Sequence, residues 1–423
     1  MKQHLVTLVK LALVAALMVW VFRGIDFVDH LRWRIGDDPK VIAEQEIDIV
    51  GSWKQEPVVY TLPGESTQRT ATRGPAGDGR TLAVEPGFLT YWHNLDPWLF
   101  VLGALCYFLT ALIAGARWWW LLKVNGTDVS LPETLRFTWI GIFFNNVVPG
   151  ATGGDVVKAL YIMKRCPGHR VQVLMSVVVD RVLGLGSLAL LGAVVVLFAL
   201  DRYAEIAIGI WGVILGVGLL GLVAFSRRLR QLVRLKTLLD RLPPKLGHLL
   251  KKVDHAVFVY RDHKTVIVAS LLAGVGNHVL AVLSVVCMGN SLDIGMPSLE
   301  YFVLIPVINI VTAVPIAPNG WGIGESLYSY FFGQYGGGFI RDVPPAVGCQ
   351  TMGTRGLALS ILYRLHVTLW SLFGGVLTLF EKDKVTKADI DREVAQEAEE
   401  DAAADRTAGG EAERSVDPSQ TDR

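Results

Sequence analysis

Four places in this 423-residue sequence set charged side chains against apolar or helix-breaking surroundings, where they could do chemistry. The first runs Asn145-Asn146-Val147-Val148-Pro149-Gly150-Ala151-Thr152-Gly153-Gly154-Asp155, with Lys158 one turn further on. The second runs Pro315-Ile316-Ala317-Pro318-Asn319-Gly320-Trp321-Gly322-Ile323-Gly324-Glu325. The third is Asp180-Arg181 inside the apolar run Val173 to Leu200, and the fourth is Arg117 ahead of Trp118-Trp119-Trp120. Proline removes a backbone donor and glycine admits non-helical dihedrals, so both long segments break a helix. Pro149, Gly150, Pro315, Pro318, Gly320, Gly322 and Gly324 are the candidate hinges. Broken backbone at membrane depth must be buried in protein or line a water-filled cavity.

The chemistry these residues suit is recognition of an anion. A helix starting at Val156 and capped by Asp155 presents free amides to an anion, with Asp155 competing for them. Lys158 can pair with Asp155 or with a phosphate. Glu325 suits a proton carrier, a ligand for a cationic group, or the partner of an arginine. Adjacent residues point about 100° apart on a helix, so Asp180 and Arg181 each need a separate partner. Arg181 could meet Asp155, Glu325 or a phosphate, which guanidinium grips with two parallel bonds. The bland readings are a capped turn at 149–155, an outer loop at 315–325, and a span that begins only after Arg181. Arg117 with its tryptophans fits an interfacial aromatic belt with a snorkelling arginine.

The elements that position these groups are membrane helices. The chain is 52% hydrophobic and only 19% charged, against about a quarter charged in soluble domains. Its long runs do not alternate as barrel strands do. Six spans are expected, at about 5–22, 98–116, 172–200, 204–225, 265–288 and 357–380. The broken regions 132–165 and 297–340 lie between them as re-entrant pairs or short crossings, making eight to ten apolar segments. The fold class is an all-α polytopic membrane protein with a small β-rich insertion. Lysine and arginine in short loops place both termini in the cytoplasm of a cytoplasmic-membrane protein, with 227–264 as the strongest inside signal. One broken region then enters from inside and the other from outside, the pointer to an inverted repeat. Arg355 and Arg364 leave the register of the last span open.

The domains expected are 1–22, an uncleaved signal-anchor; 23–96, extracytoplasmic; 97–380, the membrane domain; and 381–423, an acidic cytoplasmic tail. Within 23–96, Val41-Ile42, Glu46 to Val50 and Val58 to Thr61 read as strands, and Thr67 to Arg80 as loose chain. Residues 227–264 fit an amphipathic basic helix on the inner leaflet or a plain topology signal. The tail is expected to be disordered beyond a short helical start. Cys106, Cys166, Cys287 and Cys349 are widely spaced and read as small hydrophobes; no metal site, cofactor or nucleic-acid partner is expected.

In this order, Arg117 with Leu121-Leu122, Asn145 to Pro149, Gly153-Gly154-Asp155, Asp180-Arg181 and Pro318 to Glu325 resemble the transmembrane, flippase-like domain of the lysylphosphatidylglycerol synthase family. The resemblance covers about 98–380 and the first span. It implies a bacterial membrane protein linked to movement of lipids or polyprenyl-linked sugars. Substrate-contacting residues are then Arg117, Asn145, Asn146, Gly153, Gly154, Asp155, Lys158, Asp180, Arg181, Asn319, Trp321 and Glu325. Only an acidic tail follows Phe380, where bifunctional members carry an aminoacyl-transferase domain, so lysyl transfer is not expected. The insertion 23–96 replaces a usually short loop and could meet a partner outside the membrane. The leading expectation is transport of an anionic phospholipid or polyprenyl-linked substrate. An integral-membrane transferase, lacking a DxD-like metal pair or an HxxxxD constellation, and a non-catalytic scaffold are the alternatives.

Overall fold

The computed structural model describes residues 27–35, 40–76, 79–147, 153–225, 263–313, 322–340 and 345–381, with Tyr260 and isolated positions up to Arg392. The expected first span, the basic segment 227–259 and most of the tail lie outside these residues.

The insertion is a six-stranded antiparallel sheet, with order β4-β3-β2-β1-β6-β5. Its strands are β1 (Asp29–Ile35), β2 (Val41–Ile49), β3 (Val58–Thr61), β4 (Arg69–Ala71), β5 (Gly74–Pro75) and β6 (Arg80–Glu85). The two expected segments at 41–42 and 46–50 are one strand. The segment expected to be loose, Thr67 to Arg80, carries β4 and β5: short strands without apolar alternation become ordered by pairing with β3 and β6. Alternation puts Leu31, Ile47, Val58, Ala71 and Val84 in one core. Short helix α1 (Phe88–His93) follows. Asp29 ties it to the sheet by accepting from Gly87 N at 2.7 Å and Thr90 Oγ1 at 2.9 Å.

The other described residues are mainly helical: α2 (Pro97–Val124), α3 (Leu131–Val147), α4 (Gly153–Arg165), α5 (Arg170–Val196), α6 (Leu200–Phe225), α7 (Lys264–Ser291), α8 (Ser298–Thr312), α9 (Ile323–Gly336) and α10 (Pro345–Leu379). Among the described residues four stretches are long and apolar enough to cross a membrane: Pro97–Val124, Arg170–Gly216, Lys264–Ser291 and Pro345–Leu379. Protein covers less than half of the apolar window in each, leaving side chains such as Trp98, Phe198 and Leu272 outward. The third and fourth expected spans fall in the single stretch Arg170–Gly216. A 3-10 turn at Leu197–Ala199 and a non-helical Tyr203 interrupt it at the junction of the two expected spans. The last helix begins at Pro345, well before the expected 357, and holds both Arg355 and Arg364.

The broken regions are pairs of short helices, α3 with α4 and α8 with α9. At about 1.5 Å per residue, none of the four reaches across a core of roughly 30 Å. Ser130 starts α3 through a reciprocal box with Glu133, in which Ser130 Oγ donates to Glu133 Oε2 at 2.8 Å.

The chain divides into two compact units. One comprises Met1–Thr110, Asn145–Ala151 and Gly276–Leu372; the other comprises Ala111–Phe144, Thr152–Val275 and Phe373–Arg423. In the first, the sheet is fastened to α10. Fully buried Arg34 donates to Glu85 at 2.8 Å and to Gln350 at 3.2 Å. Arg355 lies 4.8 Å from the Trp53 ring and donates to Ile294 O at 2.9 Å. Helices α9 and α10 meet through glycine: a Cβ at Gly333 would stand 2.9 Å from Cys349 O, and one at Gly353 would stand 3.0 Å from Ser329 O.

In the second unit a buried cluster forms around Trp118, Leu122, Phe137, Val157 and Ile162. The end of α10 reaches α3 so closely that a Cβ at Gly374 would lie 2.0 Å from Trp139 O. A backbone carbonyl cannot rotate away as a side chain can. Gly374→Ala is therefore expected to destabilise the protein by about 1–3 kcal/mol, measured as a lowered melting temperature in detergent. An unchanged melting temperature would contradict this packing.

Candidate functional site

In the second unit, the charges read from sequence gather on α2, α4 and α5. Arg117, near the end of α2, donates from Nε to Asp180 Oδ1 at 2.8 Å, and both side chains are buried. Glycine on two helices makes room for this arginine. A Cβ at Gly184 of α5 would lie 3.4 Å from its Nη2, and one at Gly274 of α7 would lie 3.0 Å from its Nη1. The aromatic-belt reading of this cluster is corrected here. Trp118 is fully buried and donates to Ser176 Oγ at 3.0 Å, while Trp119 donates to Val129 O at 3.0 Å.

One residue along α5, Arg181 points elsewhere and contacts Asp155 Oδ2. Asp155 Oδ1 receives Lys158 Nζ at 3.1 Å, and the same ammonium lies 4.4 Å from the centre of the Trp118 ring. Asp155 and Lys158 are buried, but the Arg181 side chain remains 51% exposed. Asp155 is not the cap of a helix starting at Val156. Helix α4 begins at Gly153, so Asp155 lies in its first turn and spends both oxygens on cations. Gly153 and Gly154 are helical for the same reason. Gly141 of α3 permits the close approach, since a Cβ there would lie 2.9 Å from Gly154 O. The constellation thus holds three cations, Arg117, Lys158 and Arg181, against two carboxylates, Asp155 and Asp180.

In the first unit Glu325 is 2% exposed and pairs with Arg364 of α10. Of the three roles open to Glu325, the geometry is that of an arginine partner. Its other oxygen accepts from Gly322 N at 2.7 Å, capping α9. Gly322 has φ +80°, which only glycine adopts without strain. Gly324, expected as a hinge, is inside α9 and makes way for the guanidinium: its Cβ would lie 3.0 Å from Arg364 Nη2.

Asn145 and Asn146 sit half-buried in the last turn of α3. Pro149, Gly150, Pro315, Pro318, Asn319, Gly320 and Trp321 lie outside the described residues. Sequence reasoning passed over Arg364, Trp118, Gly184 and Gly274 as site residues. Arg364 did carry a signal, being a charge deep within the last apolar stretch. The small residues carried none, because their role depends on which helix faces them. Among the described residues no three His, Cys, Asp or Glu side chains gather to hold a metal.

A family model described as the lysylphosphatidylglycerol synthase TM region matches residues 87–344, more than half of the chain. A UPF0104 membrane protein of Pyrococcus horikoshii is 35% identical over 131 residues, which are 30% of this chain and 39% of that protein. One of Methanocaldococcus jannaschii is 29% identical over 91 residues, 21% of this chain and 27% of that protein. The chain thus spans well under two thirds of the length of these curated relatives. No solved structure matches. With its apolar helices, its two broken helix pairs and this match, the chain is a multi-pass membrane protein that belongs to the lysylphosphatidylglycerol synthase transmembrane-region family.

Proposed function

We propose that this protein carries a phosphate-bearing lipid, an anionic phospholipid or a polyprenyl-linked substrate, across the cytoplasmic membrane. The headgroup binds at Arg181 and Lys158. The observation that carries this reading is the half-open Arg181 near the middle of apolar helix α5. A guanidinium facing hydrocarbon at that depth is costly, so the open side faces a polar cavity. Three cations against two carboxylates leave a net positive site for an anion. A phosphate approaching Arg181 competes with Asp155 for it, a reversible exchange suited to a carrier.

The two units repeat one design. In each, two short helices stand on either side of a segment whose sequence is rich in Pro and Gly. The second begins with Gly-Asp or Gly-Glu in its first turn, and an arginine of the following long helix pairs with that acid. Asp155–Arg181 and Glu325–Arg364 are the two instances. This supports an internally duplicated transporter. Basic short loops support cytoplasmic termini, and the sheet 27–85 is suited to meeting a partner outside.

The test is dithionite quenching of headgroup-labelled anionic phospholipid in liposomes containing the purified protein. Quenching beyond the outer-leaflet fraction is expected, falling at least about ten-fold in rate for Arg181→Ala, the loss of one charge-assisted contact. Glu325→Gln, which weakens the second pair, is also expected to slow it. Wild-type rates in both variants would overturn the assignment. Repeating the assay under an imposed proton gradient separates passive scrambling from coupling through Asp155, Asp180 or Glu325.

A further inference from the structure

Helix α1, which joins the sheet to α2 in the first unit, has one face fixed by packing and one face open. On the fixed face, Asp29 holds Gly87 and Thr90, and Tyr91 is buried edge-on against Trp53 with ring centres 5.6 Å apart. Trp53 is itself ringed by cations: Arg355 lies 4.8 Å from its centre, Arg73 5.8 Å and Lys54 6.0 Å. Gly87 lets the helix sit directly on the start of β1, since a Cβ there would stand 2.5 Å from Val28 C. The direction in which the open face points is therefore set by the fold.

That open face is apolar. Leu89 and Trp92, one turn apart on α1, are 50% and 46% exposed, and the neighbouring Phe27 and Val28 are exposed as well. Exposed apolar side chains gathered in this way mark a contact with membrane or protein. Two observations select the membrane. First, only Asn94 to Asp96 separate α1 from α2, whose Trp98, Val101, Leu102 and Leu105 share one helix face and are all exposed. The open face of α1 thus leads into the lipid-facing side of a helix that crosses the bilayer. Second, the ties to α10 place α1 at the deeper end of the sheet. Arg34, toward the far end of β1, meets Gln350, near the start of α10. Arg355, which meets Trp53 beside α1, lies five residues further into α10, about 7.5 Å along its axis. The level of the membrane edge agrees: Asp96 N, just ahead of α2, donates to Ser291 O at the end of α7 at 3.0 Å, and Lys54 pairs with Asp293 just beyond it.

We propose that α1 lies in the bilayer interface and that its partner is lipid: Leu89 and Trp92, with Phe27 and Val28, sit at the boundary between headgroups and acyl chains. Tryptophan suits that layer, with an apolar ring for the chains and an N–H for the wet side. The sheet is then seated on the membrane surface on its own side, and the fixed face of α1 transmits that seating to Trp53 and, through Arg355, to α10. The inference does not depend on the transport reading.

The test uses the full chain in phosphatidylcholine nanodiscs, with Cys106, Cys166, Cys287 and Cys349 replaced by alanine and one cysteine returned for an environment-sensitive fluorophore. Leu89→Cys and Trp92→Cys are the test positions. Ala43→Cys is the reference, exposed on β2 opposite Trp33 and about 13 Å along the strands from Asp29. The expected result is quenching at 89 and 92 by phosphatidylcholine carrying a nitroxide high on its chain, with loss of most of the quenching by aqueous iodide that position 43 shows. Iodide reaching 89 and 92 as readily as 43 overturns the proposal. Shielding of both positions from both quenchers also overturns it, because protein would then cover the patch. A melting temperature close to that of the native chain checks the fold of each variant. In the native chain, without labels, Trp92→Phe is expected to lower the share of tryptophan emission that brominated phosphatidylcholine quenches, and an unchanged share counts against the proposal.

Discussion

Asp180→Asn lowers the stability of the protein by about 3–5 kcal/mol, because it leaves Arg117 buried without its counter-charge. The environment around that arginine is closed: Gly184 and Gly274 press against the guanidinium, and a salt bridge at 2.8 Å is its principal tie. The check is a denaturant or thermal titration in a mild detergent. The double variant Arg117→Met with Asp180→Leu removes both charges and is expected to recover most of that stability, since an apolar pair of similar volume often replaces a buried ion pair without loss. If the double variant also keeps full lipid movement, the pair is a fastening and takes no part in headgroup binding. If stability returns and transport does not, Arg117 contributes to the field that draws the anion. An Asp180→Asn protein as stable as the wild type would show that Arg117 finds another partner.

The second large effect is expected at Glu325. Glu325→Ala removes the partner of Arg364 and the acceptor for Gly322 N. The ion-pair loss costs about 3 kcal/mol and the loss of the cap about 1 kcal/mol. Glu325→Gln keeps the cap's acceptor and should cost clearly less in a melting experiment. The order wild type, Gln, Ala is the expected result; equal melting of the two variants would mean that the cap contributes nothing. Arg364→Met placed on Glu325→Ala should restore part of the loss, because both members of the ion pair are then replaced by apolar side chains. Comparing transport by Glu325→Gln with its melting separates a broken fastening from a lost proton carrier.

The reach of sequence reasoning follows from where the information lies. Apolar run length pointed to the four stretches long enough to cross a membrane among the described residues, since helix length is a local property; the first expected span and the proline-bearing part of each Pro/Gly segment lie outside those residues. The 100° argument required separate partners for Asp180 and Arg181, and they are Arg117 and Asp155. It could not name them, because no period in a sequence states which helix faces which. The same gap turned Trp118 into a belt residue: a tryptophan near a helix end reads the same whether its indole meets lipid or a buried serine. Arg364 was noticed as an obstacle to topology rather than as the partner of Glu325. Strands β4 and β5 are too short to carry alternation, and their order comes from their neighbours.

The glycine seam between α9 and α10 carries a mechanical consequence. Side chains interlocked across a helix pair must leave their holes before either helix can slide. Where Gly333 meets Cys349 O and Gly353 meets Ser329 O, backbone faces backbone and little stands in the way. Resistance to shear along that seam comes from Phe332 seated over Gly356, from Met352 seated over Gly336, and from the bond between Glu325 of α9 and Arg364 of α10. The two helices are thus keyed together by shape at one end and by charge at the other, with bare backbone contact between.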